Sequence, residues 1–308
     1  MDNAPVALAA IDIGSNSTNL LIVDRDGKTL ERIVRSTRLG ANIDTTGVLS
    51  ADSMRRTLEC LHQYELLIKQ HNVSHRRTVA TAACRAAKNT SEFFADVKKI
   101  SGAEPELISG EIEGLLSFMG ATSSFKDEKS TLVVDIGGAS TELMVGTKSL
   151  DFAVSLPFGA VNITEAELHR DPPRPEELTN AISLVSDAVD DVAHNYPLVR
   201  QVDRVVGVAG TIVTVAAVEV GQKTFDPAML HELKLSRDAA EDVFRTLATE
   251  PLRDRVFNPG LPRDRADIIV GGCCVLVAVM RRLQISEMVV SQYNLLDGLI
   301  SELRKKIS

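Results

Sequence analysis

Tryptophan is absent from this chain of 308 residues, and aromatics of every kind make up only 4% of it. Flat rings on which successive bases could stack are therefore scarce, which counts against a reader of single-stranded nucleic acid. An excess of positive charge is lacking too: the formal net charge is −8, and binding to a nucleic-acid polymer leans on a basic surface. A phosphate-rich small substrate stays open, because a local basic cleft can sit inside an acidic protein. No apolar stretch approaches the roughly 20 residues that a membrane span needs. Residues 1–5 show neither the basic start nor the apolar core of a signal peptide. The expectation is a cytoplasmic protein with no membrane partner. Cys60, Cys84, Cys273 and Cys274 include no C-x-x-C pair. An adjacent pair suits neither a disulfide nor a zinc site, so these read as buried, reduced thiols. The six histidines are dispersed, which argues against a histidine-built metal site. No linker is rich enough in proline or glycine to suggest independent domains.

Against these absences stands a repeat. D-I-G-S-N-S at 12–17 returns as D-I-G-G-A-S at 135–140. Each copy follows a short apolar run, and each continues into apolar alternation, through Thr18-Asn19-Leu20 and Thr141-Glu142-Leu143. Strand, acidic residue, tight turn and strand read as a β-hairpin. Such a turn directs backbone N–H groups and hydroxyls outward, a donor-rich nest suited to phosphate oxygens. The carboxylate beside it would repel a bare phosphate, so it reads as a holder of a divalent cation. The candidate phosphate contacts are Gly14, Ser15, Asn16 and Ser17 in the first copy. In the second they are Gly137, Gly138, Ala139, Ser140 and Thr141. One copy alone is explained by a structural hairpin. Two copies in matching places predict a duplicated domain with a polyphosphorylated ligand clamped between the halves.

The rest of the chain supports two α/β halves, each β-β-β-α-β-α. The expected domains are 1–128 and 129–308, with the closing helix at 293–308 a candidate to pack back onto the first. Ser50 or Asp52 caps a helix reaching about Gln70, with Met54, Leu58, Leu61, Glu65 and Ile68 on one face. A strand at 76–82 ends at Ala83-Cys84-Arg85, and a helix after Gly110 carries Glu113 in its first turn. Leu178, Ile182, Val185, Val189 and Val192 form a second helical stripe, which serves either the core or a homodimer face. A Gly-rich turn at 207–211 opens an apolar helix. It is open between close packing of strand and helix and a phosphate contact through Gly210 and Thr211. A long apolar helix is expected at 265–283.

Five stations in this order, D-I-G-S-N-S, A-T-A-A-C-R, I-S-G-E-I-E-G, D-I-G-G-A-S-T-E and V-V-G-V-A-G-T, resemble the exopolyphosphatase/guanosine pentaphosphate phosphatase (Ppx/GppA) family. That family belongs to the superfamily of actin, sugar kinases and heat-shock ATPases. S-L-P-F-G-A-V-N-I-T-E at 155–165 and R-A-D-I-I-V-G-G at 265–272 extend the likeness over nearly the whole chain. The resemblance implies two ribonuclease H-like domains, of the actin-like ATPase type, with a cleft between them. It implies release of terminal orthophosphate from inorganic polyphosphate with Mg2+ or Mn2+. Glu113 would activate the water, and Arg85 would balance charge on the phosphate. Asp135 and Glu142 would place the metal, with Asp12 in the parallel role. This division of labour suits phosphoanhydride hydrolysis, which needs a positioned water, a carboxylate and cations.

The sequence departs from the family pattern at Ala139 in the second turn, and at Ile112-Glu113, where an acidic pair is usual. It departs again at Ala86-Ala87 and at Leu296-Asp297-Gly298. An H-D phosphohydrolase-like region found in longer relatives has no counterpart, so the chain resembles the short two-domain members and is expected to favour shorter polyphosphates. The runner-up substrate is guanosine pentaphosphate (pppGpp), with the 207–211 turn seating the purine. A sugar kinase is disfavoured by the Glu113 station. A non-catalytic regulator that binds polyphosphate or an alarmone is the alternative of another class.

Overall fold

The computed structural model describes residues 7–307; the segment 1–5 read for a leader lies outside them. The chain divides into two units. One holds the chain up to Ser123 together with the segment from Leu295, and the other is Ser124–Asn294.

The first unit runs β1 (Ala7–Ile13), β2 (Ser17–Val23), β3 (Thr29–Ser36), α1 (Ile43–Thr46), α2 (Ala51–Gln70), β4 (Val73–Ala80), α3 (Ala82–Ala86), α4 (Thr90–Ser101), β5 (Glu106–Leu107) and α5 (Gly110–Ala121). Its sheet has the order β3-β2-β1-β4-β5, and β2 alone runs against the others. This is the ribonuclease H-like arrangement. β1 lies at the centre with both faces covered, which is why its sequence is a nearly unbroken apolar run. Ser50 caps α2, its hydroxyl accepting from the Ser53 N–H at 3.1 Å. Glu65 interrupts the apolar face of that helix, and its buried carboxylate is compensated by Arg76 of β4 at 2.5 Å. The outer strand β3 carries Glu31, Arg32 and Arg35, charges that discourage pairing along an open edge.

The second unit runs β6 (Thr131–Ile136), β7 (Thr141–Gly146), β8 (Leu150–Leu156), α6 (Ala160–Glu167), α7 (Pro175–Asn195), β9 (Arg204–Val208), α8 (Ala209–Glu219), β10 (Lys234–Ser236), α9 (Arg237–Thr249), α10 (Leu252–Arg255), α11 (Ile269–Arg282) and β11 (Glu287–Val290). Its sheet order is β10-β11-β9-β6-β7-β8. Starting from β8, it repeats the first plan, with β10 added antiparallel at the far edge. Each half therefore contains the expected β-β-β-α-β-α series plus a further strand and extra helices. α11 is buried on all sides from Ile269 to Met280, as its apolar sequence requires.

Several boundaries differ from the sequence reading. The units divide at Ser123 and Ser124 rather than at 128, and α12 (Leu295–Ile307), the helix offered as a candidate to pack back onto the first half, groups with the first unit. There Leu295, Leu296, Leu299, Ile300 and Leu303 join a core with Leu8, Leu21, Val79, Ile108 and Leu116. The departure at 296–298 serves this docking: Asp297 forms an ion pair with Arg32, and Gly298 lies against the Leu116 backbone. The strand expected at 76–82 ends at Ala80, which puts Arg85 on the short helix α3. α11 begins at Ile269, after a 3-10 turn at Arg263–Arg265. The stripe on α7 is internal, with Val185, Val189 and Val192 buried and Leu178 and Ile182 packed against the same core. It is spent on the core rather than on a homodimer face. All four cysteines are free and buried. Among the described residues no helix is long and apolar enough to cross a membrane.

Candidate active site

Both repeated turns close with the same bond. The Gly14 N–H donates to the Ser17 carbonyl at 2.9 Å, and the Gly137 N–H donates to the Ser140 carbonyl at 2.9 Å. In the first turn the Ser15 carbonyl accepts from Gly40, and the Asn16 carbonyl accepts from Thr37 and Arg38. A trans peptide holds its C=O and N–H in opposite directions. Pinning those carbonyls therefore turns the N–H groups of Asn16 and Ser17 to the other side. Asn16 is only 5% exposed, yet neither atom of its side-chain amide has a hydrogen-bond partner among the described residues. A buried amide left unpaired costs free energy unless a polar ligand meets it.

The second turn is pinned in the same sense by the start of α6. The Gly137 and Gly138 carbonyls accept from Ala160 at 3.0 Å and Val161 at 2.7 Å. The Ala139 carbonyl accepts from the Asn162 side-chain amide at 2.9 Å. The N–H groups of Gly138, Ala139 and Ser140 consequently face away, and none meets an acceptor among the described residues. This is the donor concavity that an anion fills. Ala139 contributes through its backbone, so its methyl group does not remove the donor. Gly159 has to be glycine here, because a Cβ would come within 2.5 Å of the Gly138 carbonyl group. Thr141 is less available than expected: its hydroxyl donates to the Phe158 carbonyl at 2.6 Å, inside the fold.

In the first unit these features collect at the carboxyl ends of the parallel strands, where open α/β sheets bind ligands. Thr81 N–H bonds to the Ile13 carbonyl, and Ile108 N–H bonds to the Ala80 carbonyl. Arg85 on α3 then reaches across: Nη1 donates to the Ile108 carbonyl at 3.0 Å and to Glu113 Oε2 at 2.7 Å. Ser109 caps α5, which sets Glu113 in the first turn. Glu111 is exposed, whereas Glu113 is mostly enclosed. Burial pushes the Glu113 carboxyl above the ordinary glutamate value, and the Arg85 guanidinium pulls against that rise. A carboxyl raised in this way, with a defined cation beside it, has the profile of an acid–base group.

Asp12 and Asp135 occupy equivalent places but have different neighbours. Asp12 lies opposite Asn19 in the β1–β2 register, and Asn19 Nδ2 donates to Asp12 Oδ2 at 2.9 Å. Asp135 lies opposite Glu142 in the β6–β7 register. Glu142 is 4% exposed and accepts from the Ser155 hydroxyl at 2.7 Å. Among the described residues no three His, Cys, Asp or Glu side chains form a complete metal cage. A Mg2+ site needs no such cage, since one or two carboxylates suffice when phosphate oxygens and water complete it. The donor set of Asp135 and Glu142 fits that requirement.

The third Gly-rich turn divides between packing and binding. Thr211 is 2% exposed and packs on Gly272 of α11, so its side chain is spent on the core. Gly210 lies in the first turn of α8, and a Cβ there would collide with the guanidinium of Arg265. No hydrogen bond holds that guanidinium among the described residues. Burial pulls the Arg265 pKa down, and Asp264 pulls the other way. A guanidinium enclosed at a helix start suits an anion. In the sequence Arg265 opens a long helix and the family-like stretch at 265–272, with no contact of its own assigned. Asn162, which bonds to Ala139, Pro157 and Gly159 together, lies in the family-like stretch at 155–165, where sequence reasoning assigns it no role. The signal for Asn162 is the P-F-G-A-V-N stretch following β8, the counterpart of the T-R-L-G stretch following β3.

Two ribonuclease H-like sheets, each with a donor nest at a strand end, define a duplicated phosphate-handling α/β protein. Residues 21–307 match the model of the Ppx/GppA phosphatase family, and the chain belongs to that family. It is 32% identical to "Exopolyphosphatase 2" of Mycobacterium tuberculosis, over 95% of this chain and 97% of the relative. It is 30% identical to "Guanosine-5'-triphosphate,3'-diphosphate pyrophosphatase" of Pseudoalteromonas translucida, over 95% of this chain but 58% of that relative. Among solved structures, a Ppx/GppA family member from Aquifex aeolicus is 32% identical with a TM-score of 0.82, and each chain is 99% covered. A crystal structure described as an exopolyphosphatase-like protein has a TM-score of 0.93 at 30% identity, covering 98% of this chain and all of the other.

Proposed function

We propose that this protein is a metal-dependent exopolyphosphatase that releases orthophosphate from the end of inorganic polyphosphate. The observation that carries the reading is Glu113, a carboxyl raised by burial and held by Arg85 at strand ends that also bear a donor nest. Glu113 takes a proton from the attacking water. The water oxygen bonds to the terminal phosphorus, the bridging P–O bond breaks, and its electron pair leaves with the shortened chain. Arg85 holds the Glu113 carboxylate in place and offsets phosphoryl charge. The N–H groups of Asn16, Ser17, Gly138, Ala139 and Ser140 hold phosphoryl oxygens. A polyphosphate supplies these in series, so each nest has one to hold. Asp135 and Glu142 hold Mg2+ or Mn2+, which when bound neutralises phosphoryl charge.

The relative named exopolyphosphatase matches this chain nearly end to end, which favours polyphosphate as the substrate. The second reading, hydrolysis of pppGpp, is favoured by the relatives named for that nucleotide and by Arg265 beside Gly210. Both substrates present the same terminal anhydride. The test common to both is Glu113→Gln. Removing a positioned base lowers turnover by roughly 10²–10⁴-fold, while polyphosphate binding followed by calorimetry stays close to wild type. Turnover near wild type would overturn the role given to Glu113.

A further inference from the structure

The two turns share a backbone plan and differ at one cross-strand position. Residues directly opposite on antiparallel strands place their side chains on one face, roughly 4.5–5.5 Å apart at Cβ. In the second turn that position joins two carboxylates, Asp135 and Glu142. Asp135 is half-buried and Glu142 is buried, so the pair presents two carboxylates on one face at the turn. In the first turn the same position joins Asp12 to Asn19, and the contact is already a hydrogen bond of 2.9 Å from Asn19 Nδ2 to Asp12 Oδ2. The reversed amide would set its oxygen against the carboxylate, so only one orientation of Asn19 makes this bond. The Asn19 side chain makes its contact with Asp12, and its Oδ1 atom is buried without a hydrogen-bond partner among the described residues.

We infer that Asn19 is a positioning residue that keeps the first turn free of a divalent cation. Its amide N–H group faces Asp12 where, in the other copy, a second carboxylate faces Asp135. A cation approaching Asp12 meets the positive end of that amide and gains one carboxylate instead of two. The duplicated architecture thereby becomes asymmetric. The first turn holds phosphoryl oxygens through N–H groups alone, and the second combines N–H groups with a cation. One divalent ion per chain follows, with Asp135 and Glu142 as its protein ligands. The asymmetry rests on the metal-binding role proposed above for those two carboxylates.

The test counts bound Mn2+ on the full chain without substrate, with water in place of the phosphate oxygens, by electron paramagnetic resonance of the free ion during titration. Wild type is expected to bind one Mn2+ and Glu142→Gln none. Asn19→Glu, which recreates the carboxylate pair in the first turn, is expected to bind two. Asn19→Asp serves as a second variant with a shorter side chain, should the first fail to fold, and is also expected to bind two. Two ions on wild type, or one ion on both folded Asn19 variants, would overturn the inference. An ion retained by Glu142→Gln would overturn the assignment of Asp135 and Glu142 instead, and the inference with it. The count is independent of turnover, so a loss of activity in any variant leaves it unaffected.

Discussion

Glu113 and Arg85 act as one unit, and each sets what the other can do. Burial raises the Glu113 carboxyl, and Arg85 limits the rise. In the role of base proposed for it, Glu113 has to be deprotonated, so activity is expected to fall as pH drops through its pKa. That acid limb therefore lies above the ordinary glutamate value of about 4.3. Arg85→Met removes the opposing charge, so the limb moves to higher pH, by about one unit or more for loss of a close ion pair. The check is the pH profile of kcat/KM for both proteins; a limb that stays put or moves down contradicts the pairing. At this scale the sequence is informative about charged residues and turn residues, because D-I-G has few structural reasons to recur at matching places with E-I-E-G between the two copies. It gives no role to Asn162 and Arg265, although both lie in family-like stretches. Their roles come from contacts with backbone far away in the chain, and a side chain's partner at that separation leaves no local pattern. It also overstates Thr141 and Thr211, whose place in a motif does not reveal that one bonds inward and the other packs on α11.

The elements matter because they pin the turns. α6 begins by donating its first N–H groups to the second turn, and Gly159 lets the two backbones touch. Gly159→Ala would press a methyl group on the Gly138 carbonyl, forcing the turn to shift. The expected cost is about 1–3 kcal/mol of stability from overpacking, together with at least a tenfold rise in KM as the N–H groups lose their aim. Denaturant unfolding and steady-state kinetics measure the two effects separately. Unchanged KM would mean that the turn does not hold substrate. The helices and strands that carry the turns are legible from periodicity and caps, as at Ser50 and α2. Their ends are less so. The apolar run through Ala82 and Ala83 suggests a strand reaching almost to Arg85, whereas pairing with β1 stops at Ala80. Composition likewise gives no break between the 3-10 turn at Arg263–Arg265 and α11, so the helix reads as starting too early.

For the molecule as a whole, duplication explains most of the architecture, and α12 is its main irregularity. The chain completes the second sheet and then returns to the first unit, where α12 supplies five apolar side chains to a core. Apolar periodicity identifies α12 as a helix but cannot by itself say which core receives it, because a stripe of leucines fits either. Membership in the Ppx/GppA phosphatase family spans both units and α12. The chain spans 58–61% of the length of three relatives named for the guanosine nucleotide and 97% of the Mycobacterium tuberculosis relative named exopolyphosphatase. Polyphosphate is the substrate proposed above, and phosphate release by the purified protein tests that proposal most directly. Short polyphosphate, long polyphosphate, pppGpp and ATP are compared side by side with Mg2+ present and removed. Metal-dependent release from polyphosphate well above that from pppGpp and ATP is the predicted result. Release from pppGpp alone, or none from any substrate, would contradict it.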